Sequence, residues 1–264
     1  MPQVHLAPDT LDQENQRFVQ QPLTKPVFLN SIPKSGSHLL RNILRMFVPV
    51  HQQYKDDFIQ WPNISKHMAA FEPKNNFLVS AHLLYSDKSA ILANRTNKVL
   101  LVRDPYTWVM AQARFLVSEQ VTSNFDHIKN GSLTVEDLLN LMIVGIYQRS
   151  PPMRDQYNMF AVAWLGTGAH LVRYEELAAH VTALDTPEAE RYFADLLTAC
   201  GIVMPPDWRQ RVEIGADKKQ SGTARQNLSL STGKFDFPAE LPETQKKMVE
   251  YNAPGLRALL GYHG

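Results

Sequence analysis

Short apolar runs alternate with amphipathic stretches along most of the chain. Four runs suit buried strands: 27–31 (VFLNS), 77–81 (FLVSA), 98–102 (KVLLV) and 169–173 (AHLVR). Each is bounded by Pro, Gly, Asn or a charged residue, as strand ends commonly are. Helical periodicity marks the segment after the first run and the segments 105–117, 134–147, 155–165 and 242–260. This alternation predicts an α/β fold, with a central parallel sheet of about four or five strands and helices on both faces.

The two aperiodic segments lie at the beginning of the chain and late in it. Residues 1–24 are polar and predict an N-terminal arm, so that 25–264 would form one α/β domain. Residues 213–238 mix Gly, Lys, Ser and Thr and predict a long loop. A loop of that length inside a compact domain is usually functional or mobile.

Composition narrows the class of protein. The 264 residues include 27 Lys+Arg and 26 Asp+Glu, a net charge of +1, which argues against a nucleic-acid partner. The single cysteine, Cys200, excludes an intramolecular disulfide and favours a reducing compartment. Neither a signal-peptide pattern nor an apolar run of about 18 residues occurs, so we expect a cytoplasmic protein without a membrane span. Scattered histidines give no metal-ligand spacing, and no metal is expected.

The first strand runs directly into the loop 33–38 (PKSGSH), and an amphipathic helix follows at once. Such a loop can point successive backbone N–H groups at one spot, where the helix dipole adds positive potential. Gly36 permits close approach of a ligand, Lys34 supplies a charge and Ser37 a hydroxyl donor. The pattern predicts a phosphate site; the alternative is a tight β-to-α turn with an exposed lysine.

The order of residues in this loop indicates which phosphate chemistry to expect. In a nucleoside-triphosphatase P-loop the lysine follows the glycine, whereas here Lys34 precedes Gly36. PKSGSHLLRNIL resembles the 5′-phosphosulfate loop of sulfotransferases that use 3′-phosphoadenylyl sulfate (PAPS). The resemblance implies that Lys34 contacts the phosphosulfate bridge and that the 5′-phosphate is wrapped by Ser35, Gly36, Ser37 and His38. Leu39 stands where the family often has a tryptophan against the adenine.

A second cluster lies in KVLLVRDPYTWVMAQARF, where the apolar run breaks at a proline. Its Arg-Asp-Pro resembles the family's 3′-phosphate motif and implies that Arg103 holds this phosphate by a charge-assisted fork. Ala111 stands where the family has a serine, and Arg114, one turn on, is a candidate replacement. The alternatives are a local ion pair between Arg103 and Asp104 and a Walker B acid.

His82 directly follows the strand predicted at 77–81. Parallel sheets bind ligands at the carboxyl ends of their strands, so this residue, the first loop and Arg103 are expected to converge there. A histidine of ordinary pKa suits the removal of a hydroxyl proton at neutral pH. The run AHLLYS resembles the family's G-H-L-P-Y, whose histidine is the general base. The alternative is a hydrogen-bonded structural histidine.

Two later motifs are weaker. The run RYEEL is similar to a late family motif and implies that Tyr174 and Glu175 serve structure around the site. The family's C-terminal R-[KR]-G-x-x-G-x-W loop can be aligned with GTARQNLSLSTGKFDF, which lacks the tryptophan. Either Gly233 and Lys234 or the alternative Arg225 would then reach the nucleotide, unless this is a solvated basic loop.

The resemblance implies transfer of a sulfuryl group from PAPS to the hydroxyl of a small-molecule acceptor, with PAP (adenosine 3′,5′-bisphosphate) as product. His82 would act as general base and Lys34 would stabilise the departing phosphate, without a metal. Apolar residues in the segment 115–160 predict an apolar or amphipathic acceptor, unless they are core: Phe115, Phe125, Leu138, Leu141, Met142 and Tyr147. A P-loop small-molecule kinase and a non-catalytic nucleotide-binding relative stay open, and no feature predicts the oligomeric state.

Overall fold

The computed structural model describes residues 3–4, 9–55, 58–118, 121–122, 126–129, 131–221 and 235–263. The chain divides into two compact units. Residues 9–102 and 159–221 form one, called the sheet unit, and residues 1–8, 103–158 and 222–264 form the other, called the helical unit.

Five strands form one parallel sheet in the sheet unit. The strands of the described chain are β1 Gln3–Val4, β2 Val27–Ser31, β3 Ile59–Gln60, β4 Leu78–His82, β5 Asn97–Val102, β6 Val121–Thr122 and β7 His170–Arg173. The sheet has the order β3-β4-β2-β5-β7, whereas β1 and β6 pair antiparallel within the helical unit. The predicted α/β class with a parallel sheet of four or five strands is confirmed.

The helices complete both units. The α-helices are α1 Leu11–Asn15, α2 Ser37–Arg45, α3 Asp87–Ala93, α4 Pro105–Val117, α5 Asp126–Lys129, α6 Val135–Val144, α7 Met153–Phe160, α8 Tyr174–Val181, α9 Pro187–Ala199, α10 Trp208–Ala216, α11 Glu243–Asn252 and α12 Leu256–Leu259. Short 3₁₀ segments cover Val50–Gln52, Trp61–Phe71, Val162–Trp164 and Lys218–Gln220. No helix of the described residues is long and apolar enough to cross a membrane.

The strands β2 and β5 have buried residues on both faces, as expected for central strands. Along β2, Val27 and Leu29 join the apolar cluster that contains buried residues of α2, α8, α9 and α10. Phe28 points to the opposite face, where its ring lies 5.6 Å from Phe71 and 5.4 Å from Trp164. Helical segments therefore cover both faces of the sheet.

The loop predicted at 213–238 begins later than expected, because α10 continues to Ala216. Gly215 allows this helix to reach the backbone of α2. A Cβ atom at this position would lie 2.6 Å from Cα of Ile43 and 2.8 Å from the carbonyl oxygen of Asn42. The two helices thus meet backbone to backbone, and α10 fixes the helix that follows the loop 33–38.

The helical unit is built on α4, α6 and α11. Trp108 of α4 is fully buried, and its ring lies edge-on to Tyr157 at 5.5 Å. Between α11 and α6, the amide nitrogen of Gln245 donates to Oδ1 of Asn140 over 3.0 Å. These contacts hold the helix that begins directly after Arg103 and Asp104.

Candidate functional site

The loop after β2 has a backbone suited to an anion. Lys34 and Gly36 both have left-handed conformations, with φ of +68° and +91°, on either side of Ser35. Alternating backbone conformations of this kind form concavities that bind anions through N–H groups. A Cβ atom at Gly36 would lie 2.3 Å from Cδ2 of Tyr174, so the loop requires glycine for both conformation and space. Tyr174 thus serves the structure of the loop.

Helix α2 begins immediately at this loop. Gly36 is its N-cap residue, no side chain among the described residues caps it, and its first turn contains no acidic residue. The first N–H groups of a helix have no intrahelical partner and carry a partial positive charge. An anion at the loop would satisfy these groups.

The two serines of the loop differ in role. Ser35 is fully buried, and its hydroxyl donates to the carbonyl oxygen of Ile32 over 2.6 Å. This hydroxyl stabilises the loop. Only the backbone of Ser35 is therefore a candidate to contact a ligand. The hydroxyl oxygen of Ser37, the first residue of α2, lies 2.8 Å from that of Ser31 at the end of β2.

His82 ends β4 beside this pair of hydroxyls. Its Nδ1 lies 2.9 Å from the carbonyl oxygen of Ser31 and 3.1 Å from Oγ of the same residue. A carbonyl oxygen can only accept, so this contact assigns the proton to Nδ1 and leaves the lone pair on Nε2. His82 is thereby held in the tautomer that can take up a proton at Nε2.

The chain following His82 is fixed at Leu83. The Leu83 N–H donates to Oδ1 of Asn30 over 2.9 Å, and the Leu83 carbonyl accepts from Nδ2 of Asn30 over 3.0 Å. Nε1 of Trp164 donates to the same carbonyl over 3.1 Å. The side chains of Asn30 and Trp164 thus fix the backbone directly after His82.

An aromatic ring covers one face of His82. Phe58 stacks on the imidazole at 4.5 Å between ring centroids and an interplanar angle of 12°. His38 of α2 meets the same phenyl ring edge-on at 4.9 Å, and the guanidinium of Arg41 lies 5.6 Å from its centroid. Phe58 therefore lies between the two imidazoles and contacts both.

Both histidines are weakly basic. Burial lowers the pKa of His82 to about 4; the hydrogen bond to the Ser31 carbonyl opposes this effect and the charge of Lys34 adds to it. Burial, followed by the charges of Arg41, Lys34 and His82, lowers the pKa of His38 to about 3. Both rings are neutral at neutral pH. The pKa of His82 thus lies below the ordinary value assumed from the sequence.

Arg103 and Asp104 follow β5 in the chain and belong to the helical unit. Nε of Arg103 donates to Oγ1 of Thr107 over 3.0 Å, which orients the guanidinium. Asp104 accepts from the backbone N–H of Tyr106 over 2.9 Å and so caps α4. Its carboxylate also accepts from Nε and Nη2 of Arg257, over 3.1 and 3.0 Å. Arg257 was not predicted from the sequence, because it lies 153 residues after Asp104 and belongs to no motif.

Arg114 lies in the same unit as Arg103. Its Nη2 donates to the carbonyl oxygen of Pro238 over 3.2 Å, and its guanidinium lies 5.7 Å from the ring centroid of Phe237. Burial and the charge of Arg103 lower the pKa of Arg114. Two guanidinium groups that repel each other would both be stabilised by an anion.

The remaining candidates are placed differently. Leu138 and Met142 are buried in the helical unit, whereas Tyr147 is 87% exposed. Phe125, Arg225, Gly233 and Lys234 lie outside the described residues. Within the described residues, no three His, Cys, Asp or Glu side chains come together as a metal site. Leu39, at the position of the family's tryptophan, packs against the apolar cluster.

The five-stranded parallel sheet, with the loop after β2 and the helices on both faces, defines a sulfotransferase-like fold. A solved structure with this fold is "mouse sulfotransferase SULT7A1 complexed with PAP". It matches at a TM-score of 0.52 and 15% sequence identity, covering 81% of this chain and 70% of that chain. No family model and no curated protein sequence matches the chain. The expected sulfotransferase-like fold is confirmed.

Proposed function

We propose that this chain transfers a sulfuryl group from PAPS to the hydroxyl of a small-molecule acceptor. The observation that carries the proposal is the environment of His82. The Ser31 carbonyl fixes the proton on Nδ1 and leaves Nε2 as a base, and the charge of Lys34 is felt at the same ring. The base and the phosphate loop stand at the carboxyl ends of the adjacent strands β4 and β2.

In the reaction, Nε2 of His82 takes the proton of the acceptor hydroxyl as its oxygen forms a bond to sulfur. The bond from sulfur to the bridging oxygen breaks, and PAP leaves with that oxygen. Lys34, the hydroxyl of Ser37 and the N-terminus of α2 stabilise the negative charge on the departing phosphate. As in phosphoryl transfer, positioning and charge stabilisation do most of the work, and no metal is required.

For the nucleotide, we propose that Arg103 and Arg114 bind the 3′-phosphate. The orientation of Arg103 by Thr107 and the mutual repulsion of the two guanidinium groups support this assignment. Ser35, Gly36 and His38 would complete the 5′-phosphate site. Arg225, Gly233 and Lys234 are further nucleotide contacts that the motif implies.

For the acceptor, we propose an apolar or amphipathic alcohol or phenol. The ring of Phe58, stacked on the base, supports an apolar approach to Nε2. A cytoplasmic location fits the single cysteine, which is a free thiol buried in the core.

The direct test is sulfuryl transfer from PAPS to a panel of apolar alcohols and phenols, measured for the wild type and His82→Asn. A positioned general base contributes about 10²–10⁴-fold, so the variant should lose turnover by that order. PAP binding, measured by thermal shift, should stay close to wild type. His51→Asn, which changes an exposed histidine, is the matched control and should be fully active.

Three outcomes would contradict the proposal. Near wild-type turnover by a folded His82→Asn variant would assign the base to another residue. Phosphorylation of the panel with ATP and Mg²⁺ would favour the kinase. PAP binding without turnover of any acceptor would favour a non-catalytic relative.

A further inference from the structure

A line of hydrogen bonds connects the phosphate loop to the base. It begins at the hydroxyl of Ser37, passes over 2.8 Å to the hydroxyl of Ser31, and reaches Nδ1 of His82 over 3.1 Å. Ser31 and Ser37 are 3% and 8% exposed, so solvent does not replace these contacts. These hydrogen bonds could not be predicted from the sequence, because Ser31 is simply the last residue of a predicted buried strand.

The direction of these bonds depends on what Ser37 does. Each hydroxyl has a single proton to donate. If the proton of Ser37 is given to an anion at the loop, the Ser31 hydroxyl donates to Ser37, and a lone pair of Ser31 Oγ faces Nδ1 of His82. The Nδ1 proton is then shared between the Ser31 carbonyl at 2.9 Å and Ser31 Oγ at 3.1 Å. Every donor then points from the imidazole toward the anion. Without an anion, Ser37 can instead donate to Ser31, whose hydroxyl has the Ala81 carbonyl at 3.5 Å as its other acceptor.

We propose that Ser31 couples the binding of an anion at the phosphate loop to the proton affinity of His82. The inference rests on the proposed function, since the loop and the base are the same. Aligned donors polarise one another, and a negative charge at the end of the line favours a positive imidazolium at its beginning. Binding of the sulfuryl donor would thus strengthen the base.

The surroundings of His82 show why such coupling matters. The charge of Lys34 and the burial of the ring both oppose protonation, and His38 and Arg41 on α2 add no negative group. A base works best when its pKa is near the working pH, and the pKa of about 4 for His82 is well below that. An anion at the loop counters the effect of the Lys34 charge on His82.

The test is the pKa of His82, measured from the ¹⁵N shifts of its ring without ligand and with saturating PAP. In the wild type we expect the pKa of His82 to rise by about one pH unit when PAP binds, as is typical of an opposite charge nearby. Ser31→Ala should show a clearly smaller rise, as should Ser37→Ala, which breaks the line at its other end. Ser31→Thr, which keeps the hydroxyl, should restore the rise. Ser80→Ala, a buried serine of β4, is the matched control and should behave as wild type.

The same titration with inorganic phosphate separates this inference from the proposed function. If PAP fails to bind but phosphate raises the pKa through Ser31, the coupling stands and the nucleotide assignment fails. An equal rise in Ser31→Ala and wild type, with both variants folded by circular dichroism, would overturn the coupling and leave the proposed function intact. No rise with either anion in the wild type would also overturn it.

Discussion

The two candidate anion sites are built from different kinds of contact. In the sheet unit, the loop after β2 is held by hydroxyls, carbonyls and neutral imidazoles, with Lys34 as the charge that His82 and His38 both feel. In the helical unit, Arg103 and Asp104 depend on further charged groups, Arg114 and Arg257. The site in the sheet unit is therefore built mainly from fixed polar groups. The site in the helical unit is built mainly from charged side chains that interact with one another.

This difference predicts different sensitivities. The first site depends mainly on the position of each polar atom, so it should be broken by steric and conformational changes. A site of full charges should be broken by charge removal and weakened by salt. The following experiments test that contrast in order of expected effect.

The largest effect is expected for Gly36→Ala. A non-glycine residue with left-handed φ costs about 1–2 kcal/mol, and the clash with the Tyr174 ring adds roughly 1–3 kcal/mol. The free energy of unfolding, measured in urea, should fall by about 2–5 kcal/mol, and PAP binding should be lost. Gly166→Ala is the matched control, because its φ is +75° and its Cβ would meet no described atom within 4 Å. Equal losses in both variants would show that the contact with Tyr174 is unimportant.

The next effect is expected for Arg103→Ala. A charge-assisted hydrogen bond is worth about 1.5–3 kcal/mol, so PAP affinity should fall by that amount while AMP affinity stays nearly unchanged. Calorimetry with both nucleotides measures the difference, and Arg149→Ala controls for the loss of one exposed positive charge. If both nucleotides lose affinity alike, Arg103 is a structural residue.

A smaller effect is expected for Arg257→Leu. The Arg257–Asp104 pair is largely buried, with side-chain exposures of 15% and 14%, and the guanidinium lies 4.0 Å from the Tyr106 ring centroid. Removing the arginine should lower the free energy of unfolding by roughly 1–2 kcal/mol, because water reaches the exposed part of the pair and replaces some of the lost hydrogen bonding. Arg154→Leu, which removes an exposed ion pair with Asp155, should cost under about 1 kcal/mol. Equal costs would mean that burial does not strengthen the first pair.

The smallest effect at neutral pH is expected for His38→Gln, which should alter acid stability. In the folded protein burial holds the pKa of His38 near 3 and of His82 near 4, below the ordinary 6.5. The unfolded chain binds more protons below about pH 6.5, so stability is lost as the pH falls from there toward 4. His38→Gln should flatten this dependence in urea titrations at several pH values, whereas His51→Gln should not. An unchanged slope would show that His38 is not buried in the neutral form.

The sequence predicted those elements whose signals are local. The bounds of β2 and α4 were predicted at both ends. The strand is a short apolar run that follows a proline, and an Asp-Pro pair marks the N-terminus of the helix. The two residues of β3 are too few for an alternating pattern, and α10 was not predicted. Its last residues, which include Gly215, fall in the segment 213–238 that was predicted as a loop. That glycine serves close helix packing instead.

In the candidate site, too, the residues of a local motif were predicted and those brought together by the fold were not. Lys34, Gly36 and Ser37 lie in one contiguous motif and were predicted from it, although their roles stay predictions. Ser31 and Phe58 were not predicted, because they reach His82 only after the strands have paired. The low pKa of His82 arises from burial, which no pattern of neighbouring residues indicates.

The hydrogen bonds at Leu83 have a consequence for the dynamics of the chain. Leu83 lies just beyond β4, where loop amides commonly exchange with solvent within the native state. Its N–H is held by Asn30 of β2, its carbonyl by two side chains, and its own side chain is fully buried. Opening of the amide breaks a buried hydrogen bond to a side chain of β2, so its deuterium uptake should be slow. The amide of Leu83, directly after His82, should accordingly exchange about as slowly as those of the central strands, even though it lies outside β4.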